Sequence, residues 1–112
     1  RESTHVIMPD VLLCGGVSEA ARAGKAAADR GKGFSLHSPS GPACLLASGH
    51  VSAAVAGSMA LEHAVNEAPW RAELLDPPER VEGGRLWLPQ GAGLGARLNA
   101  DVVQSRGRRW EA

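Results

Sequence analysis

Three short apolar runs in this sequence each stop at an ionisable residue, and the stops are evenly spaced. Val6-Ile7-Met8 closes through Pro9 at Asp10, Gly33-Phe34-Ser35-Leu36 stops at His37, and Ser58-Met59-Ala60-Leu61 stops at Glu62. The steps are 27 positions from 10 to 37 and 25 from 37 to 62. Apolar and β-branched runs of this length read as buried strands. Between the first two lies Glu19 to Arg30, an Ala-dominated helix that Ser18 would cap and that Gly31 and Gly33 would end. Between the second and third, Ser40 or Gly41 would cap a helix with Pro42 in its first positions, running to about Ala56 before Gly57 breaks it. The order is β-α-β-α-β, which predicts parallel strands joined by right-handed crossovers.

The spacing matches one βα unit of a (β/α)8 barrel, roughly thirty residues when about 250 are divided by eight. Residues one unit apart at strand C-termini become neighbours on one rim, where such barrels place their chemistry. The fold class predicted is therefore α/β, with Asp10, His37 and Glu62 side by side. A carboxylate on one ring nitrogen fixes an imidazole's tautomer and raises its basicity. His37 would act as general acid or base, Asp10 would orient it, and Glu62 would bond a substrate oxygen. Each residue also has a plainer reading. Asp10 serves equally as a turn or cap residue, His37 as a satisfied polar group, and Glu62 as the partner of a nearby Arg.

Beyond Glu62 the character changes. His63 to Asp76 reads as an irregular or partly helical connection, halted by Pro77-Pro78. Arg80–Leu88 and Leu94–Leu98 read as two antiparallel strands flanking Gln90-Gly91-Ala92-Gly93. The division expected is residues 1–76 as a partial barrel and 77–112 as a C-terminal hairpin and tail. Twelve acids balance twelve Lys and Arg, so no global charge favours nucleic acid or an anionic membrane. Aromatics are only 4% of the chain and Ala, Val and Leu dominate, so a core of this size is marginal alone and invites cover. Cys14 and Cys44 lack CxxC spacing and read as reduced, buried thiols, consistent with a cytoplasmic protein. The polar opening does not read as a signal peptide, and Ala43–Met59 is too short and polar to span a bilayer. The start without Met reads as a partial chain.

At the level of motifs the sequence resembles the mandelate racemase and muconate lactonizing enzyme family of the enolase superfamily. Ile7-Met8-Pro9-Asp10 with Gly15-Gly16-Val17-Ser18-Glu19 resembles its sixth-strand region. His37-Ser38-Pro39-Ser40-Gly41-Pro42 resembles the seventh-strand His segment, most closely in galactonate dehydratase-like members of the mandelate racemase subgroup. Leu61-Glu62 resembles the eighth-strand Glu, and Gly93-Leu94-Gly95-Ala96-Arg97-Leu98-Asn99 the closing Pro-Gly-Leu-Gly segment. The resemblance implies the last three βα units of the barrel. It further implies a magnesium-dependent enzyme that removes the α-proton of a sugar acid or other small carboxylate, the metal stabilising the enediolate. By the same likeness His37 and Asp10 match the catalytic pair, the His protonating a departing β-hydroxyl in the dehydratases. Glu62 matches the residue that bonds the substrate carboxylate, with Pro39 also against substrate, and the complete enzyme would be a homo-oligomer.

Several departures qualify the match. The family's three acidic magnesium ligands and its second-strand base lie on earlier strands, and its capping domain is absent as well. Leu13 stands where many relatives have Lys, and Ala92 replaces the usual Pro. The chain alone is expected neither to bind the catalytic magnesium nor to turn over. The competing readings are a non-catalytic fragment that oligomerises through its open edge, and a stand-alone metal or nucleotide binder. Gly91-Ala92-Gly93-Leu94-Gly95 lacks the strand–turn–helix context of a nucleotide loop, and His37, His50 and His63 fit no zinc spacing. Arg106, Arg108 and Arg109 read as a solvated tail, and Trp70, Trp87 and Trp110 as packing residues.

Overall fold

The structure, a computed structural model, describes residues 3–65 and 68–108. Strand β1 (Val6–Ile7) and strand β2 (Gly33–Phe34) pair in parallel, Val6 opposite Gly33 and Ile7 opposite Phe34. The ladder runs past both formal strands: Gly33 N–H donates to His5 O, Ser35 N–H to Ile7 O and His37 N–H to Pro9 O, at 2.9 to 3.1 Å. It ends at a parallel bridge between Asp10 and His37.

Helix α1 (Val17–Ala28) makes the crossover. It starts at Gly16, with φ 96°, so Ser18 lies inside the first turn instead of capping it. Ala20, Gly24 and Ala27 form the buried stripe at helical spacing. Gly31 (φ 62°) ends the helix as expected, with Gly31 N–H bonding Ala28 O and Lys32 N–H reaching Ala27 O, the bond pair of a Schellman cap. Gly24 has no room to be anything larger, because a Cβ there would lie 2.9 Å from the Phe34 ring and from Val55 Cγ2. Gly24→Leu is therefore expected to lower stability by about 2 kcal/mol through overpacking. A urea midpoint that does not move would show α1 free to shift outward.

Helix α2 (Gly41–Ala54) has Ser40 at its N-cap and Pro42 in its first turn. It is buried nearly all round, at Pro42, Cys44, Leu45, Leu46, Ser48, Gly49 and Val51, because α1 covers one side and the later hairpin another. The core beneath is Val11, Ala20, Ala27, Phe34, Leu36, Cys44 and Val51.

The third expected strand is a correction. Ser58 to Leu61 runs beside β2 but is not a strand. Met59 N–H donates to Phe34 O at 2.7 Å, and the next carbonyl, Ala60 O, is taken at 2.8 Å by the Ser35 hydroxyl instead of a backbone N–H. Met59 and Ala60 are exposed, so their remaining backbone groups are open to solvent.

The C-terminal expectations also need correction. Arg80–Leu88 is not one strand: β4 (Arg80–Glu82) and β5 (Arg85–Trp87) form an antiparallel hairpin about Gly83-Gly84. Both glycines have positive φ, 57° and 73°, which a two-residue hairpin turn requires and which a side chain would strain. Only Arg97–Leu98 of the expected Leu94–Leu98 strand forms (β6), and it pairs antiparallel with β3 (Leu75–Asp76). A 3-10 turn at Arg71–Glu73 precedes β3, and Arg71 bonds Glu79 through two nitrogens at 2.5 and 2.9 Å. Helix α3 (Ala100–Arg106) was not expected; Asn99 caps it by accepting from Asp101 N–H at 3.1 Å.

On the exposed hairpin Arg80 lies 5.1 Å over the Trp87 ring and bonds Glu82. That bond holds the Glu82 carboxyl below, and the Arg80 guanidinium above, its ordinary value. Its small contribution is present at neutral pH and is lost as pH falls through the lowered Glu82 value. Trp110 and Arg109 lie outside the described residues.

Candidate active site

The end of the β1–β2 ladder positions the first two groups. Asp10 and His37 face each other across the bridge, and His37 Nδ1 lies 2.9 Å from Asp10 Oδ2. The Asp10 side chain is 7% exposed and that of His37 44%, so the carboxylate is enclosed while the ring reaches solvent. The other carboxylate oxygen, Oδ1, accepts the Leu12 N–H at 2.7 Å. The Asp10 carbonyl accepts from Leu13 and Cys14 N–H, closing the turn that enters α1.

This arrangement fixes the ring chemically. An ionised carboxylate only accepts, so Nδ1 carries the proton that bonds Asp10. In neutral His37 the lone pair is then on Nε2, the nitrogen directed away from Asp10. Glu62 Oε2 lies 3.9 Å from that Nε2 and accepts the Ser38 N–H at 2.9 Å. Glu62 is 40% exposed, so the two groups frame an open edge.

All three ionisable residues singled out in the sequence are thus neighbours. Pro39 lies two positions past His37, half-buried in the turn into α2. His50 sits apart on α2, where its Nε2 bonds Leu94 O at 3.2 Å and tethers the glycine-rich loop. His63 lines a separate cavity of about 380 Å³ between α2 and the β4–β5 hairpin. The three histidines therefore do not converge. Sequence reasoning missed the Leu12 and Ser38 N–H groups, for which side-chain identity carries no signal.

Among the described residues no group of three His, Cys, Asp or Glu side chains is placed to hold a metal ion. Magnesium demands a near-octahedral set of oxygens. Here both Asp10 oxygens already bond His37 and Leu12, and Glu62 Oε2 is committed to Ser38. The residues present do not fit a magnesium cage.

Known proteins carry the same arrangement of chain. The family described as enolase C-terminal domain-like matches residues 1–102. A D-xylonate dehydratase from Haloferax volcanii is 28% identical over 104 residues, which is 93% of this chain and 25% of that protein. An enolase of the mandelate racemase subgroup from Agrobacterium tumefaciens is 30% identical with a TM-score of 0.81, the match covering 91% of this chain and 28% of that one. A Burkholderia xenovorans protein whose structure holds magnesium and fumarate is 20% identical with a TM-score of 0.82, covering 91% of this chain and 25% of that one; it speaks for the fold. The chain thus spans about a quarter of the length of these relatives. With 102 of its residues matched and the α/β fold shared, the chain belongs to the enolase C-terminal domain-like family, among the mandelate racemase and muconate lactonizing enzymes.

Proposed function

We propose that this chain supplies the Asp10–His37–Glu62 corner of a magnesium-dependent acid-sugar dehydratase or racemase. The observation that carries the reading is the pinned imidazole: Asp10 fixes the Nδ1 proton, and Nε2 stands 3.9 Å from Glu62 at an open edge. β1, β2 and the extended 58–61 segment, which lies beside β2 without forming a strand, are read as the closing part of a (β/α)8 barrel, with residues 77–112 as a C-terminal extension. The likeness to a D-xylonate dehydratase supports a polyhydroxy acid as substrate.

In this reading His37 Nε2 moves the proton. Neutral, it takes a proton from the substrate carbon α to the carboxylate; charged, it gives one to a departing β-hydroxyl. Asp10 stabilises the imidazolium and holds the ring's orientation. Glu62 orients a substrate oxygen beside Nε2, and Pro39 walls the turn. Magnesium supplies charge stabilisation of the substrate carboxylate when bound, through donors other than these residues.

The test uses the polypeptide as its source makes it, given a panel of sugar acids with magnesium in D2O. Dehydration is read as a 2-keto acid trapped by semicarbazide, and racemisation as deuterium entering the α-carbon without loss of water. Either product is the expected result. If an intact mass of 11.6 kDa came with neither product, the proposal would fall. The non-catalytic reading would replace it, favoured by the exposed Val6, Met8 and Met59 beside the open ladder.

A further inference from the structure

We infer that Ser38 is the positioning residue of the His37–Glu62 pair: its N–H holds the Glu62 carboxylate, and its hydroxyl, bonded to Cys44, fixes that N–H to α2. The inference deepens the proton-transfer reading above and rests on it for its catalytic meaning.

The observations form a chain of contacts. Glu62 ends a segment joined to β2 by the Met59 N–H and the Ala60 carbonyl, and it is 40% exposed. A long side chain in that situation samples several rotamers unless something holds its head. The Ser38 N–H does so at 2.9 Å, a bond to a charged acceptor and so stronger than a neutral one. The same oxygen faces His37 Nε2, so the bond sets the separation of the two groups.

Ser38 itself is 2% exposed, yet it carries a hydroxyl, and a buried hydroxyl needs a partner. Its Oγ donates to Cys44 Sγ at 3.8 Å, and Cys44 is 4% exposed within α2. Sulfur is a weak acceptor, so the bond adds little stability. Its effect is directional: it links the residue after His37 to the second turn of the helix. The catalytic ring and the Glu62 clamp are then adjacent backbone units on one anchored turn.

The test reads the residue-38 amide by NMR in this chain as pH is varied. The Ser38 amide is expected to shift upfield as Glu62 is protonated, and Glu62→Gln should abolish that pH dependence. Ser38→Ala, which keeps the N–H but removes the hydroxyl that anchors it, should diminish it, while Ser38→Thr, which keeps the hydroxyl, should retain it in full. A Ser38→Ala protein that melts earlier but keeps the pH-dependent amide shift undiminished would overturn the inference, since the Ser38 hydroxyl would then be structural only. Should Ser38→Ala not fold, Cys44→Ala reads the same amide with residue 38 intact, and an undiminished dependence there overturns it equally. No substrate or metal enters the measurement. An enzyme inactive on every sugar acid would leave this result untouched, and a negative result here would leave the proton-transfer reading standing.

Discussion

Leu36→Ala is expected to destabilise the chain by about 3–4 kcal/mol, a large fraction of the total stability of a domain this size. Leu36 is fully enclosed, with Leu45, Leu46 and Val51 the other large side chains buried to the same degree. Removing its branched end takes apolar surface from the core and leaves a cavity that the neighbours fill only partly. The surroundings make the loss worse than average. Phe34 is the chain's single Phe, and the other buried members of the cluster around Leu36 are Ala, Val and Cys, with Ile7 and Leu61 partly buried against it, so few large side chains are placed to fill the space. Position adds a second consequence, because Leu36 is the residue that delivers His37 to the end of the ladder. The control is Leu36→Met, which conserves volume and should cost less than about 1.5 kcal/mol. Urea denaturation followed by circular dichroism gives both numbers, and a loss below about 1 kcal/mol for the Ala variant would mean that the core is looser than its burial indicates.

The contrast between what the sequence announced and what it concealed follows physical lines. The β-α-β start was legible because Val6-Ile7-Met8 and Phe34-Ser35-Leu36 are apolar runs flanking a helix with a clean glycine stop at Gly31. The neighbourhood of Asp10 and His37 followed from unit spacing, since a parallel ladder brings equivalent strand ends together. The third strand failed for a reason composition cannot show: Ser35 uses its side chain to take the Ala60 carbonyl. In the C-terminal part Gly83-Gly84, paired glycines that signal a hairpin, interrupts what the apolar pattern alone presents as one continuous strand. The β3–β6 pairing joins residues 75–76 to 97–98, too far apart for local pattern to foresee. Asn99 is a cap signal legible in the sequence, and it starts α3. At the site, the side chains could be read and the backbone donors could not, and the backbone donors at Leu12 and Ser38 now decide how the carboxylates are oriented.

That orientation makes Asp10→Asn informative, although it changes one atom. Asp10 Oδ1 must accept the Leu12 N–H, because the residue is 8% exposed and water cannot substitute. An Asn in its place therefore turns its carbonyl oxygen toward Leu12. The opposite flip would set an NH2 against the N–H and leave a buried donor unpaired, at a cost of about 1–3 kcal/mol. Its NH2 then faces His37 Nδ1, where the carboxylate oxygen used to accept. Nδ1 must become the acceptor, and the ring proton moves to Nε2. The nitrogen directed toward Glu62 and the open edge can no longer take a proton, and no carboxylate remains to stabilise the imidazolium. Under the proton-transfer role proposed for His37, turnover is expected to fall by roughly 10²–10⁴, the range associated with a misplaced general base. The tautomer can be read without turnover, from nitrogen-15 shifts of His37 at a pH where the ring is neutral. A shift of the proton from Nδ1 to Nε2 is the expected result. If the proton stayed on Nδ1, the Leu12 bond would not control the side chain, and the orienting role given to Asp10 would have to be abandoned.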